Sequence, residues 1–218
     1  MRINRVIKTL IISDFFLLSS FGLASPILAV FVTQQINGGD LKVVGFASTI
    51  YLFVRALLQL FFARVIDKKT SEKYDFAFML IGSVLLALAP LGFIFSSEPW
   101  HIYVLEALSG LGFAMSLPCW YAIFTRHIDR GNEGLEWSAS DTSIAFGQAL
   151  AAAVGGLLAE KYGFPPIFLL MSVLSLIGAS ILILIYRDLK SQKIIVTKGT
   201  SEDFVRPLRR RLIHKRFF

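Results

Sequence analysis

The sequence predicts an all-α membrane protein of six transmembrane helices, arranged as two three-helix repeats of opposite orientation. Three observations support this fold class: the composition, six long apolar runs, and a repeated spacing of acidic residues and prolines. Of the 218 residues, 55% are hydrophobic and only 17% are charged, whereas soluble domains are about 45 to 50% apolar and about 25% charged. A soluble six-helix bundle is disfavoured because the runs are apolar all round rather than striped.

Each apolar run is long enough to cross a bilayer, which takes roughly 20 helical residues. The runs cover residues 9–32, 43–65, 76–95, 102–124, 138–159 and 166–186. The first run is expected to stay in the mature chain, because it exceeds a signal peptide's apolar core and because cleavage after its small residues would leave Pro26 beside the scissile bond. We assign residues 1–188 to one six-helix domain and residues 189–218 to a basic cytoplasmic tail.

Basic residues flank the runs mainly on one side. They lie before the first run, after the second and fourth runs, and throughout the tail, whereas the other side has only Lys42 and Lys161. Because Lys and Arg favour the cytoplasmic side, both termini are expected in the cytoplasm, with the protein in the plasma (inner) membrane. This topology explains the net charge of +7, so no nucleic-acid partner is expected. The tail is expected to lie against anionic lipid head groups or to begin a linker.

A repeated spacing links the first and fourth runs. Asp14 precedes Pro26 by 12 residues, Glu106 precedes Pro118 by 12, and the two pairs are 92 residues apart. Each acidic residue lies about five residues inside its run, hence ~8 Å deep at ~1.5 Å per residue, from opposite faces of the membrane. Unless the similarity is due to chance, the chain repeats three spans once. Since three is odd, the second unit is inverted, as in transporter folds.

Two short motifs follow the pattern of a known transporter family. The sequence ARVIDKK closes the second run and carries Asp67 and Lys68, where the family has Gly-x-x-x-Asp followed by basic residues. The fourth run carries Glu106, Gly110 and Gly112, where the family has Arg-x-x-x-Gly-x-Gly-x-Ala. In these segments the chain resembles the major facilitator superfamily, although an alanine replaces the first glycine and Glu106 replaces the arginine.

The fifth run resembles a third motif of that family. Gly147, Gly155 and Gly156 occupy glycine positions of the antiporter pattern Gly-x-x-x-Gly-Pro-x-x-Gly-Gly, but the proline is missing, so an antiporter is not predicted. Small residues recur every four positions along this run, which allows close approach of another helix. We interpret the following motif residues as helix-packing or conformational positions: these three glycines, the two glycines of the fourth run, Pro118, Asp67 and Lys68.

The resemblance implies half of a transporter, because the family pairs two six-helix halves and this chain has six spans. It implies secondary transport of an unidentified small molecule across the lipid bilayer by alternating access, with proton coupling as an option. The missing half is expected to be a second copy in a homodimer or another transporter half. The alternative is a non-transporting assembly or sensing protein built on a transporter half.

An intramembrane enzyme is not expected. Ser109 would be the candidate nucleophile, but a serine nucleophile needs a base, and the three histidines, His101, His127 and His214, lie outside the runs. Cys119 is the only cysteine, which excludes an intramolecular disulfide and a cysteine metal cluster. No cofactor or metal is predicted.

Three ionisable residues within the runs are candidates for substrate binding or proton coupling: Asp14, Arg55 and Glu106. Charges inside a membrane are costly and are functional candidates by default. Arg55 and Asp14 lie at depths that would allow an ion pair, and we weigh this pair equally with a role in substrate binding. Glu106 has no basic residue at its depth, and burial favours the protonated form of an unpaired carboxylate. We expect Glu106 to bind a proton in a water-filled cavity or to contact the partner half.

Overall fold

The computed structural model describes residues 4–68 and 71–189, which form seven α-helices and contain no strand. The helices are α1 (Arg5–Ser20), α2 (Leu28–Gln35), α3 (Leu41–Asp67), α4 (Glu72–Ile94), α5 (Pro99–His127), α6 (Glu133–Tyr162) and α7 (Pro165–Leu182). Short 3-10 turns follow α1 and α7, at Phe21–Leu23 and Ile183–Ile185. Most of the basic tail, residues 190–218, lies outside the described residues.

Six helical segments are long and apolar enough to cross a membrane, which confirms the expected fold class. They are Arg5–Leu23, α3, α4, α5, α6 and Pro165–Ile185. The helices extend beyond the apolar runs because polar residues at their ends satisfy free backbone groups. Asp40 accepts a hydrogen bond from the Val43 backbone N–H at 2.8 Å at the start of α3, and Glu98 and His101 form a reciprocal capping box at the start of α5.

The first apolar run is not one continuous helix, in contrast to the expectation for residues 9–32. It ends as an α-helix at Ser20, continues as a 3-10 turn to Leu23, and becomes helical again only at Leu28. Pro26 lies in this interruption and has no backbone N–H to continue the helical hydrogen bonds. By contrast, Pro118 lies inside the continuous α5. The two prolines related by the repeat therefore have different effects on their helices.

Hydrogen bonds between helix ends define the two faces of the bundle. Asn4 Nδ2 donates to the His127 carbonyl oxygen at 3.3 Å, next to the start of α1. On the opposite side, the Asn37 N–H donates to the Ser97 carbonyl oxygen at 2.9 Å. We call the side with Asn4 and His127 the proximal face and the side with Asn37 and Ser97 the distal face.

Helix packing follows the symmetry of an inverted repeat. α5 packs along α3 and α4, α1 packs along α6 and α7, and α4 packs against α7. In the repeat, α1 corresponds to α5, α3 to α6 and α4 to α7. The α3–α5 contact therefore has its counterpart in the α6–α1 contact, and the α4–α5 contact has its counterpart in the α7–α1 contact. The packing thus agrees with the three-plus-three repeat predicted from the 92-residue spacing.

A buried charge cluster joins α4 to α5 at the proximal face. Arg126 Nη1 lies 2.7 Å from Asp75 Oδ2 and 3.8 Å from Glu72 Oε1. Both carboxylates are almost completely buried, and His127 Nε2 lies 3.9 Å from Glu72 Oε2. Because buried charges require partners, this cluster fixes the start of α4 against the end of α5.

Candidate functional site

A pocket of about 340 Å³ lies beside Glu106 in the bundle interior, and we call it the Glu106 pocket. Its walls come from α1's interruption and from α3 to α7, in the distal half of the bundle. Five aromatic side chains line it: Phe21, Tyr51, Phe93, Phe113 and Phe168. The volume and the mostly apolar lining fall within the range typical of small-molecule sites.

Polar groups in the Glu106 pocket are few and come from different elements. Besides Glu106 and Tyr51, the lining includes Ser25, Ser109 and Gln148. Ser25 lies in the interruption of the first span, where the chain leaves the helical path. Broken helices of this kind form binding sites in transporters because they bring backbone and small side chains next to a cavity. The arrangement suits an apolar ligand held by one carboxylate and a small number of hydrogen bonds.

Arg55 adjoins the Glu106 pocket through Tyr51. Its Nη1 donates to the Tyr51 hydroxyl at 3.1 Å, and its guanidinium carbon lies 5.2 Å from the centroid of the Phe113 ring, within cation–π range. Gly110 makes this proximity possible: a Cβ there would lie 2.7 Å from the Tyr51 carbonyl oxygen, so α3 and α5 approach too closely for a side chain. The arginine is therefore held at the wall of the pocket.

The structure does not pair Arg55 with Asp14. No ion pair joins them among the ion pairs of residues 4–68 and 71–189, so the expected ion pair is not formed. The reason is that Arg55 is engaged by Tyr51 of its own helix and by Phe113 of α5. The expectation was based on the depth of the two residues in the membrane. Depth does not specify on which side of its helix a residue lies.

Asp14 lines a separate cavity of about 20 Å³ in the proximal half of the bundle, which we call the Asp14 pocket. Its other walls include Met79 and Ser83 of α4 and Ser116 and Trp120 of α5. The Ser83 and Ser116 hydroxyl oxygens lie 3.2 Å apart. Asp14 and Glu106 therefore occupy different cavities, one in each half of the bundle.

The predicted helix-packing residues occupy different environments. Gly147 lies against Ser19 and Gly155 against the Leu23 backbone, both at the contact between α6 and the first span. Gly112 faces the Gly82 backbone of α4. Open space surrounds the Cβ position of Gly156 within the described part of the chain. Their roles remain predictions.

Three further motif residues predicted from the sequence lie in two places, within α5 and at the end of α3. Pro118 is buried within α5, whereas Asp67 and Lys68 are exposed at the proximal end of α3. Lys69, the next basic residue of that motif, lies outside the described residues. Within the described ranges, no group of three His, Cys, Asp or Glu side chains is arranged to hold a metal ion.

Several pocket residues were not recognised from the sequence. Tyr51 precedes Arg55 by four residues, which places both on one helix face, and this spacing was a usable signal. The position of Gln148 in the pocket could not be predicted from spacing along one helix. Its Nε2 donates to the Leu18 carbonyl oxygen at 3.3 Å, which is a contact between α6 and α1. Such residues are brought together only by tertiary packing.

Comparison with known proteins gives a consistent family assignment. The family model of the Major Facilitator Superfamily matches residues 10–218. The chain is 25% identical over 165 residues to a "Multi-drug resistance efflux pump PmrA homolog" of Lactococcus lactis subsp. lactis (strain IL1403), covering 75% of this chain and 40% of that protein. It is 28% identical over 156 residues to "Multidrug resistance protein MdtG" of Rahnella sp. (strain Y9602), covering 69% of this chain and 36% of that protein.

A solved structure shares the fold. The POT family transporter PepTSo superposes with a TM-score of 0.71 over 91% of this chain, at 17% sequence identity, and the match covers 40% of that transporter. The chain thus spans about two fifths of the length of the relatives it matches.

Proposed function

The chain belongs to the major facilitator superfamily, and on this basis we propose that it forms part of a secondary transporter that moves a small molecule across a membrane by alternating access. The family assignment supports transport rather than catalysis. The names of two relatives, a multi-drug resistance efflux pump homolog and a multidrug resistance protein, favour export of drug molecules. The plasma membrane, with both termini in the cytoplasm, remains the proposed location because of the distribution of basic residues.

The observation that carries the proposal is the Glu106 pocket. Its volume of about 340 Å³ accommodates a small organic molecule, and its five aromatic rings provide apolar contact area. Glu106 is the acidic residue of that lining. A carboxylate in an aromatic pocket attracts a positively charged or hydrogen-bond-donating group more strongly than it would in water. We therefore propose that the substrate is a compact apolar molecule with such a group.

We further propose that Glu106 couples transport to a proton gradient. Its carboxyl group is half-buried in the pocket. Hydration of the open pocket favours the charged form, and closure around the group favours proton uptake. A site whose protonation differs between two conformations couples their populations to the proton concentration on each side.

A second transporter half is proposed to complete the transport path. The outward faces of α3 and α6 carry exposed large apolar residues, among them Phe46, Phe53, Phe146 and Leu157. Only 11% of the most apolar window of each of these helices is buried, compared with 44% or more for the other spans. The matched relatives are more than twice as long as the matched region. These observations support docking of a second copy, a separate chain or a further segment on α3 and α6.

Transport is tested with the full chain in proteoliposomes that carry a proton gradient, using ethidium, a fluorescent aromatic cation, as the probe. We expect gradient-driven ethidium movement in the parent protein and its loss in Glu106→Gln, while exchange at equal concentrations on both sides survives. Glu160→Gln, the same substitution at an exposed site on α6, is the control and should retain transport. Unchanged proton dependence in Glu106→Gln would exclude the coupling role.

The alternative, a non-transporting assembly or sensing protein, predicts a different outcome. Ethidium would then bind, which raises its fluorescence as it leaves water. This increase would be lost in Glu106→Gln, but no preparation would accumulate ethidium. The two functions are distinguished by measuring binding and accumulation on the same vesicles.

A further inference from the structure

The Tyr51 hydroxyl group has a proton that no neighbouring residue accepts. Tyr51 lines the Glu106 pocket, and its hydroxyl oxygen accepts a hydrogen bond from Arg55 Nη1 at 3.1 Å. A guanidinium group has N–H donors and no acceptor, so the Tyr51 O–H cannot donate back to Arg55. Within residues 4–68 and 71–189, this is the only hydrogen bond of the Tyr51 hydroxyl group. The O–H is therefore free to donate to a group inside the pocket.

Three contacts hold Tyr51 in place. Its ring lies edge-on to Phe113, with the ring centroids 5.9 Å apart and an angle of 82° between the planes. Arg55 is held by the same ring, because its guanidinium carbon lies 5.2 Å from the Phe113 centroid. The backbone of Tyr51 lies against Gly110 of α5. A donor that is fixed before a ligand arrives loses little conformational entropy on binding, so Tyr51 is well placed for recognition.

The other polar groups of the lining do not duplicate this donor. An ionised Glu106 carboxylate only accepts hydrogen bonds, and the Gln148 amide nitrogen already donates to a backbone carbonyl of α1. Ser25 and Ser109 can donate, but a serine hydroxyl rotates and competes for nearby backbone carbonyl groups. Tyr51 is thus the lining residue whose free donor is fixed by its neighbours.

The inverted repeat shows that this donor is specific to one pocket. The 92-residue spacing relates several residues of the two linings in pairs, among them Glu106 and Asp14, Met171 and Met79, and Ala24 and Ser116. Tyr51 and Arg55 correspond instead to Ser143 and Gly147, neither of which lines the Asp14 pocket. The acidic residue is therefore common to both pockets, whereas the tyrosine and arginine distinguish the Glu106 pocket.

A fixed donor restricts which ligands the pocket accepts. A ligand that fills the pocket displaces water from the Tyr51 O–H, and only a ligand with an acceptor replaces the lost hydrogen bond. A site that places a donor in this way discriminates against analogues that lack the matching acceptor. The aromatic walls select for apolar area, but Tyr51 adds a requirement that apolar area alone does not meet.

We propose that Tyr51 is a specificity-determining residue, which donates a hydrogen bond to an acceptor on the substrate, and that Arg55 is the positioning residue for its hydroxyl group. The substrate then carries a carbonyl, ether or similar acceptor in addition to the group that contacts Glu106. The inference deepens the proposed function and rests on it, because it concerns the same pocket. Its test measures binding alone, so it can fail while transport is retained.

Binding is measured by equilibrium dialysis of the full chain in lipid nanodiscs, with empty nanodiscs as the correction for partition into lipid. The probes are aromatic cations: para-acetyl-N,N,N-trimethylanilinium, its meta isomer, and the isopropyl compound that matches each of them. Acetyl and isopropyl groups have similar shapes, but only the acetyl group accepts a hydrogen bond. The para and meta isomers place the acceptor at different distances from the cation, so the test does not depend on one ligand geometry.

Tyr51→Phe keeps the ring and removes the donor. The measured quantity is the preference, defined as the ratio of the Kd values of an isopropyl compound and its acetyl partner. We expect Tyr51→Phe to lower this preference about three- to tenfold for at least one isomer, and to leave binding of the isopropyl compounds unchanged, which verifies folding. Tyr121→Phe, the same change on α5 outside the pocket lining, is the control and should retain the parent preference.

Arg55→Met tests the positioning role. We expect it to lower the preference about twofold, because an O–H group donates more strongly when its oxygen accepts a hydrogen bond from a cation. In a Tyr51→Phe background, the same substitution should leave the preference unchanged. Any effect of the lost charge on cation binding is common to both partners and cancels in the ratio. An equal fall in the two backgrounds would overturn the positioning role.

The specificity role is overturned if Glu106→Gln abolishes binding while Tyr51→Phe leaves both preferences unchanged. It is also overturned if Tyr51→Phe weakens the acetyl and isopropyl compounds equally, because Tyr51 then maintains the shape of the pocket without recognising an acceptor. If the parent protein binds none of the compounds, the substrate class in the proposed function is refuted and the inference with it. Failure of the inference and failure of the proposed function therefore give different results.

Discussion

At the scale of single residues, the three charges inside the apolar runs differ in the surroundings that neighbouring helices provide for them. Asp14, Arg55 and Glu106 were recognisable as charges inside apolar runs. Arg55 contacts Tyr51 four residues away on the same helix, and that spacing was a usable signal. No sequence pattern indicated that Arg55 also contacts Phe113 or that Asp14 shares a cavity with Trp120. Helical spacing specifies neighbours within one helix, whereas these contacts depend on how α3 and α1 are rotated against α5.

The Arg126 cluster leads to a residue-scale prediction about stability. Arg126→Met removes the cation 2.7 Å from the buried Asp75 carboxylate, and loss of one partner from a buried pair costs about 3 to 5 kcal/mol. Since the Arg126 side chain is 26% exposed, we expect a loss at the lower end of that range, measured as reversible unfolding in detergent micelles. Arg130→Met, at an exposed position in the loop that follows α5, should change stability little. Equal stability of the two variants would contradict a structural role for the cluster.

At the scale of helices, the number and approximate bounds of the spans followed from the apolar runs, but the interruption of the first span did not. Pro26 and Pro118 have equivalent places in the repeat, yet only Pro26 lies in a break of the helix. A proline within a helix is tolerated when surrounding helices satisfy the freed backbone groups. Whether they do so depends on packing, which the apolar pattern does not encode.

The contact between α6 and the first span yields an element-scale prediction. Gly147→Leu forces a side chain against Ser19, and overpacking of this kind costs about 1 to 3 kcal/mol. We expect a lower yield of folded protein and a lower melting temperature in detergent. Gly156→Leu, on the same helix but with open space at its Cβ position, is the matched control. The packing role fails if both variants melt at the same temperature.

At the scale of the whole molecule, the inverted repeat governs both the fold and the placement of the pockets. The 92-residue spacing was visible in two acidic residues and two prolines. The structure extends it to the helix contacts and to the pocket walls. The volumes of the pockets were not predictable, because they depend on which side chains fill each cavity after packing.

Topology is the first prediction for the whole molecule. Reporter fusions at Asn37, on the distal face, and at the C-terminus should give opposite signals, with the C-terminus cytoplasmic because basic residues favour that side. A phosphatase and a fluorescent protein are suitable reporters, since each is active on one side only. Equal signals at the two positions would refute the topology.

Association is the second prediction for the whole molecule. Native mass spectrometry from lipid nanodiscs should detect a complex of at least two transporter halves, because the exposed apolar faces of α3 and α6 are available for docking. Phe53→Ser and Phe146→Ser, which make these faces more polar, should reduce the complex, whereas Leu184→Ser on α7's side of the bundle should not. A monomer with full transport activity would contradict the pairing.

The correspondence between the two pockets also has an evolutionary consequence. If the repeat arose by duplication of a three-helix ancestor, the two pockets were identical at first. Their present difference in volume then results from later substitutions at few positions. Trp120 lies where the other copy has Leu28, and both line their pockets. Exchanging these two side chains would place the larger tryptophan in the Glu106 pocket and the smaller leucine in the Asp14 pocket.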